Sequence, residues 1–459
     1  MKQLQGRIGR LIGDGVGRDV VRLVSGTLAG RLIAIAAMPV ITRLYSPADF
    51  ALLATYLGVV SLVAVVACFR LDVAIPVARD QADAGQLLVL SLLIAGAVSL
   101  LSLALVTAMP GTLAGMLGQP RIAPWLWLVP VGILFSSSYS ALQWWATRAK
   151  RFGSIAITRV TQAVLGAVTT IGLGVAGLAP VGLLVGNLLN SSAGSLRLLV
   201  DMWRRDRPSF ARPSLSSLLS TLNRYRRFVV YSTPEALINT AGVQLPVLLI
   251  AALVGSEAGF LLLAQQVMAI PMSLLGSSIA QVYVSRAPDR LSEGKLAEFT
   301  LETMTRLAAI ALGPVILLGL VAPFVFVAVF GPEWARSGEI MRWMAPWMAL
   351  QFITSPVSMV LLITNRQPAM LALTTIGLVA RVGTVGAFFA LLGPQYAVIG
   401  LVVGSLIYYA VVFVFATRAA NFRRSHHVAL AASLARPKYA AYIVPIAAAY
   451  ALSYFWRPS

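Results

Sequence analysis

Residues 31–54 read RLIAIAAMPVITRLYSPADFALLA. An apolar run holding one arginine, Arg31, and one proline, Pro39, closes at Arg43. A few residues around Tyr45 to Asp49 turn the chain, and a second apolar run opens at Phe50. A membrane helix needs roughly 20 mostly apolar residues to cross ~30 Å of hydrocarbon, so the stretch reads as the junction of two spans. The junction recurs. Ser46 to Ala54 (SPADFALLA) aligns with Ser256 to Ala264 (SEAGFLLLA), six of nine positions agreeing at an offset of 210 residues, and each follows a run containing a proline, Pro39 or Pro246.

The rest of the chain has the same character. Of its 459 residues 58% are hydrophobic and 11% charged, with a mean hydropathy of +0.83. Soluble domains average about 45–50% apolar and about 25% charged, because a wet surface needs polar cover. A conventional soluble enzyme, a disordered chain and a disulfide scaffold are excluded. One cysteine, Cys68, allows no internal disulfide, and a single cysteine with two adjacent histidines, His426 and His427, predicts no metal centre. Cys68 reads as a packing residue and the histidines as solvated.

Twelve apolar runs read as spans: approximately 20–43, 50–69, 86–109, 122–146, 153–176, 179–200, 228–253, 258–283, 306–330, 335–363, 368–392 and 395–417. A thirteenth, 439–456, is shorter and holds Pro445; it reads equally as a span or an interfacial segment. The first run is too long for a signal-peptide core and reads as retained. With the N-terminus in the cytoplasm, 27 of the 36 lysines and arginines fall on cytoplasmic segments, 4 on the far side and 5 inside spans. That bias orients the protein and accounts for its net charge of +20. Seven arginines crowd residues 201–227: Arg204, Arg205, Arg207, Arg212, Arg224, Arg226 and Arg227. They read as topology plus attraction to anionic headgroups; no aromatic platform accompanies them, so no nucleic-acid partner is expected. Trp125, Trp127, Trp334, Trp343 and Trp347 near outer span ends, and Trp144 and Trp145 near an inner one, read as interfacial belts.

Six spans is an even number, so the repeat runs parallel, about an axis along the membrane normal. The expected fold is all-α: a polytopic membrane protein of two pseudo-symmetric six-helix bundles. The expected division is an N-terminal lobe 1–200, a basic cytoplasmic linker 201–227, a C-terminal lobe 228–417, and a basic and hydrophobic C-terminal segment 418–459. No folded soluble domain is expected.

Charges inside spans are the candidate site residues. An arginine at mid-bilayer costs at least ~2.5–3.5 kcal/mol on insertion scales, so it faces a cavity or a partner. Arg31 lies about ten residues into its span, ~15 Å deep; it reads as a contact for an anionic substrate group, or as internally bonded. Arg381, between Gly377 and Gly383, reads the same two ways. Arg159 and Arg197 lie nearer an inner end, where snorkelling competes with a substrate role. Glu339 and Arg342, three apart, are expected to pair. Glu235 after Pro234 suits an early helix position; its rival reading is a cavity carboxylate for charge balance or ion coupling, with Asn239 four residues on. Asn187, Asn190, Gln244, Gln265, Gln266 and Gln351 read mainly as interhelical hydrogen-bonding groups. No Gly-Lys-Ser/Thr phosphate loop is present (Gly294-Lys295 is followed by leucine), nor an acidic cluster in an outer loop. Short outer loops leave little room for catalysis, so no catalytic residues are expected.

Several stretches carry a family resemblance: RLIAIAAMPVITRLYSPADF (31–50), RLDVAIPVARD (70–80), RFGSIAITRVTQA (151–163), and YSTPEALINT, QLPVLLIAALVGSEAGF and LLGSSIAQVYVSR within 225–286, with FGPEWA (330–335) beyond them. In this order they resemble the bacterial oligosaccharide flippases, which serve O-antigen and exopolysaccharide synthesis, of the multidrug/oligosaccharidyl-lipid/polysaccharide (MOP) exporter superfamily. The resemblance implies a V-shaped alternating-access transporter in the bacterial inner membrane. Its substrate would be an undecaprenyl-diphosphate-linked oligosaccharide, moved from the cytoplasmic to the periplasmic leaflet. Separate glycosyltransferases and a polymerase would be its pathway partners, and membrane lipids its surroundings. No cofactor is expected; coupling to Na+, H+ or the membrane potential stays open. Drug-exporting relatives often carry an acid in the first helix, where this chain has Arg31, which favours an anionic lipid. The alternatives are an ion-driven drug exporter or peptidoglycan-precursor flippase of the same superfamily, and, from another class, an integral-membrane glycan polymerase or ligase.

Overall fold

A computed structural model describes residues 15–206 and 214–434, and every regular element among them is helical. In hydrocarbon no water satisfies a backbone N–H or C=O, so each apolar run closes its own hydrogen bonds as a helix. We number the principal helices α1 Gly15–Leu44, α2 Pro47–Ala64, α3 Gln81–Ala108, α4 Leu128–Arg148, α5 Phe152–Val175, α6 Val181–Arg205, α7 Thr233–Val254, α8 Glu257–Ser292, α9 Leu296–Phe330, α10 Ala335–Thr354, α11 Gln367–Leu392 and α12 Ala397–Ala419. Each predicted span from 20–43 to 395–417 overlaps one of them. The segment 439–456 lies outside the described residues.

Nine helical segments among the described residues are long and apolar enough to cross a bilayer, or ten with the pair of segments bent by 41° at the end of α10. The bend falls at Ser355–Pro356, where proline withholds a backbone donor. α4 is interrupted by polar residues, Ser136, Ser137, Ser138, Tyr139, Ser140 and Gln143; Tyr139, Ser140 and Gln143 bond to Thr158, Asp72 and Arg159 beside its apolar contacts. Outward faces are hydrocarbon: Leu100, Leu101, Phe324 and Leu391 are 68–82% exposed, a surface that only lipid would cover. The chain is a multi-pass membrane protein.

The chain divides into two compact units, Met1–Gln244 and Leu245–Ser459. Within the first, α4 packs on α3 and α6, and α5 on α1 and α6; within the second, α10 packs on α9 and α12, and α11 on α12. An ion pair repeats with the helices. Asp49 in the first turn of α2 meets Arg121 at 3.5 Å, and Glu257 in the first turn of α8 meets Arg336 at 3.0 Å. The first acid also closes a capping box, with Ser46 and Asp49 bonding reciprocally.

Close helix pairs are built on glycine. A Cβ on Gly26 would lie 2.5 Å from Ala156 Cβ, and one on Gly30 would lie 2.9 Å from the Arg159 carbonyl oxygen. So the Gly26-Thr-Leu-Ala-Gly30 stripe of α1 rides directly on the backbone of α5. In the second unit a Cβ on Gly404 would fall 2.8 Å from Arg381 Cα.

Four sequence expectations change. Trp145 is 2% exposed and donates Nε1–H to Asp206 at 2.8 Å; Trp334 is fully buried, edge-on to Phe260. They are core rings, turned inward by these contacts, and not interfacial belts. Glu339 pairs with Arg336, three residues back, at 2.8 Å, because Arg336 also anchors Glu257 and places its fork between the two. His426 is not simply solvated: its Nδ1 accepts the Arg423 N–H at 2.9 Å and its ring sits 5.4 Å from that of Phe422. Arg224 is more than surface charge: it donates to both oxygens of Asp83 at 2.7 Å, a contact that raises its pKa, hydrogen bond first and carboxylate charge second.

Because Gly26 has no space for a side chain, Gly26→Val is expected to overpack the α1–α5 contact, an effect of about 1–3 kcal/mol. The lowered thermal midpoint of the detergent-purified protein checks this; Gly96→Val, with nothing within 4 Å of its Cβ position, should leave it unchanged.

Candidate functional site: a cationic cluster in the first unit

The predicted site residues separate. Arg31, Arg159, Glu235 and Asn239 belong to the first unit, and Arg381 to the second. Arg31 and Arg159 share a level, because Gly30 touches the Arg159 carbonyl and Arg31 is the next residue. Arg31 is exposed and makes no ion pair or side-chain hydrogen bond among the described residues. Arg159 is half-buried; it donates to Gln143 Oε1 at 2.9 Å and its guanidinium carbon lies 5.4 Å from the Tyr139 ring centre. Tyr139 in turn shares a 3.1 Å hydrogen bond with Thr158. Tyr139 and Gln143 are one turn apart, so a single face of α4 holds the guanidinium.

The same face holds a group that the sequence did not single out. Ser140 donates to Asp72 Oδ2 at 2.7 Å, and Asp72 is buried. Asp72 is placed by its neighbours. After α2 the chain takes left-handed φ at Phe69 (47°) and Arg70 (56°), then folds into the short helix Leu71–Ala74. Leu71, Ala74 and Ile75 are fully buried in the cluster built with Leu87, Leu88, Leu142 and Trp145. These apolar anchors fix Asp72, which stands between Leu71 and Ala74. Arg70 Nε is buried with no hydrogen-bond partner among the described residues. Two consecutive non-glycine residues in the left-handed region are strained, a feature that gathers at functional sites.

Arg148, the last residue of α4, closes the floor of the cluster. Its Nη1 donates to the carbonyls of Ile75 (3.0 Å), Pro76 (3.2 Å) and Ala78 (3.0 Å), and its Nη2 to that of Asp80 (3.0 Å). Those carbonyls lie along the short helices that follow Arg70 and at the start of α3, where Ile75 and Asp80 also accept backbone N–H groups from Ala78 (3.4 Å) and Ala84 (3.2 Å). Close by, Arg151 pairs with Asp206 at 2.5 Å and Ser154 donates to Asp201 at 2.7 Å.

An apolar groove of about 530 Å³ runs along α1 and α5, lined by Ser25, Gly26, Gly153, Ala156, Ile157, Val160 and Thr161. Gly26 lies one turn from Gly30, and Val160 adjoins Arg159. Two guanidiniums and an apolar groove therefore share one helix pair.

Elsewhere, Glu235 is half-buried and Asn239 exposed in the first two turns of α7, which follows a π-helical turn at Phe228–Ser232. Neither meets Arg31 or Arg159 among the described residues. Arg381 is 8% exposed: Nε donates to Ser405 Oγ at 3.2 Å, and the guanidinium stacks 4.5 Å from the Tyr408 ring centre and 5.6 Å from that of Tyr409. Cys68 is buried against the Ser137 carbonyl, as a packing residue. No group of three or more His, Cys, Asp or Glu that could hold a metal occurs among the described residues.

A family model described as polysaccharide biosynthesis protein matches residues 40–339. No curated protein sequence matches. Among solved structures, "Lipid II flippase MurJ, inward closed conformation" superposes with a TM-score of 0.71 at 11% identity, covering 94% of this chain and 97% of that one. An outward-facing multidrug resistance MATE family transporter of the MOP superfamily gives 0.56 at 17% identity, over 90% and 97%. A MOP superfamily transporter from Pyrococcus furiosus, whose title reports reversed polarity of its binding pocket, gives 0.54 at 16%, over 91% and 99%. The fold is that of MurJ and MATE transporters.

Arg148 and Arg159 should separate in their effects. Arg148→Gln strips charge from four carbonyl contacts and is expected to lower stability by at least ~1.5–3 kcal/mol. Arg159→Gln, which loses one neutral hydrogen bond and one ring contact from a half-buried side chain, should cost about 1 kcal/mol. Thermal midpoints of the two purified variants check this ordering.

Proposed function

The chain belongs to the polysaccharide biosynthesis protein family, and from that premise we propose that it is a flippase for lipid-linked oligosaccharide. The substrate is an undecaprenyl-diphosphate-linked repeat unit, moved from the cytoplasmic to the periplasmic leaflet of the bacterial inner membrane by alternating access. The N-terminus is cytoplasmic. The chain is a transporter and not an enzyme, and glycosyltransferases and a polymerase act before and after it.

One observation carries this reading: Arg31 is an exposed guanidinium with no partner among the described residues, deep in a predicted span, level with Arg159 and one turn from an apolar groove. A charge so placed is expensive unless an anion meets it. A diphosphate supplies that anion, and guanidinium forks match its oxygens. The polyprenyl chain suits the α1–α5 groove. Arg70, with its unused Nε, adds a third cation near the basic end, where the substrate enters. Arg381, expected as a second phosphate contact, is held by Ser405, Tyr408 and Tyr409 and has no part in this proposal; Glu235 with Asn239 balances charge or couples to Na+, H+ or the membrane potential. The likeness to a lipid II flippase supports a lipid-linked glycan; the likeness to MATE transporters keeps drug export as the second reading. Arg31, in place of a deep acid in α1, weighs against a cationic drug.

Arg31→Ala, matched to wild type for membrane level, is expected to cut surface polysaccharide at least about tenfold, the loss of one charge-assisted contact. Lipid-linked repeat units should accumulate in the inner leaflet, and Arg31→Lys should restore part of the export. Wild-type surface glycan from Arg31→Ala would reject the assignment; altered drug susceptibility with normal glycan would favour the exporter.

A further inference from the structure

A second cationic site lies in the other unit. A cavity of about 190 Å³ opens between the short helix Val360–Ile363, the start of α11 and the end of α12, lined by Leu361, Arg366, Ala369, Phe415 and Arg418. Its volume is roughly six times the ~30 Å³ share of a liquid water. Leu361 is buried and Phe415 half-buried, so the floor is apolar. Arg366 and Arg418 are both exposed and make no ion pair or side-chain hydrogen bond among the described residues.

The turn that carries Arg366 is fixed. Asn365 is left-handed (φ 56°), and the Arg366 N–H donates to the Leu361 carbonyl at 2.7 Å. Arg366 thereby stands at the N-cap of α11, a 26-residue helix whose dipole adds positive potential. No counter-ion is built in. The chain carries no acidic residue after Glu339, so none of the lining elements, nor anything C-terminal to them, can supply a carboxylate side chain. The paired acids of this unit serve Arg336, Arg290, Lys295, Arg306 and His426.

We propose that this cavity binds a phosphate group, held between Arg366 and Arg418 over the Leu361–Phe415 floor. The occupant is the headgroup phosphate of an anionic membrane lipid or free phosphate; the apolar floor favours the lipid, whose glycerol and first methylenes would rest on it. The site is built from second-unit elements alone and does not depend on what the chain transports.

Native mass spectrometry of the full-length protein, released from mixed micelles of phosphatidylglycerol or phosphatidylcholine, tests the lipid. Calorimetry with inorganic phosphate tests the free ion. The wild type should retain phosphatidylglycerol in preference to phosphatidylcholine. Arg366→Gln and Arg418→Gln should each weaken retention about fivefold, the worth of one arginine near an anionic surface; the double variant should abolish the preference, and Lys at both positions should keep most of it. Saturable phosphate binding that the double variant loses, without lipid preference, supports the site with free phosphate as occupant. Equal retention of both lipids together with no phosphate binding overturns the proposal. So does a double variant that binds like wild type. Should the double glutamine variant aggregate on size exclusion, the single variants decide by the same criterion.

Discussion

In a bilayer a charge persists only where something answers it, and the first unit is organised around that constraint. Arg148 gathers four carbonyls from the short helices after α2 and the start of α3. Those helices set Asp72 against Ser140, and the same turn of α4 presents Gln143 to Arg159. The glycine stripe of α1 then brings Arg31 to the level of Arg159. The chain of contacts ends at a guanidinium with no ion pair or side-chain hydrogen bond among the described residues. A transporter needs such a place, strong enough to attract an anion and open enough to release it.

The two units solve one packing problem with the same parts. Each sets an arginine on an acid at the start of its second helix, and each seats its fifth helix against its sixth. They diverge at the charged positions inside. Arg159 is half-open against one ring, whereas Arg381 is enclosed by Ser405, Tyr408 and Tyr409. Cation–π contact offsets part of the desolvation of a buried guanidinium, which is why Arg381 can be held so deep.

Helix positions, the repeat and the family were legible in the sequence because each is written in local pattern: apolar runs, a nine-residue echo, ordered short motifs. Arg31 and Arg159 stand out as candidates because a charge interrupts an apolar run. The Arg70–Asp72 turn was not, although its residues stood in a quoted motif, since nothing local tells that Leu71, Ala74 and Ile75 lock it against α4. Arg148 looked like one more basic residue at an inner span end; its carbonyl partners lie 68–73 positions away. Trp145 and Trp334 carry the composition of a belt but the geometry of a core, and composition records no direction. The pairing of Glu339 with Arg336 turned on Glu257, 79 residues from that arginine.

The most direct measurement is leaflet transfer in liposomes containing only the purified protein and a fluorescent undecaprenyl-diphosphate-linked oligosaccharide, followed by the fraction open to an external quencher. The account predicts rapid transfer by the wild type and a fall to the protein-free rate when Arg31 and Arg159 are both glutamine. Wild-type transfer by that double variant, or none by the intact protein under any imposed Na+, H+ or voltage gradient, would contradict it.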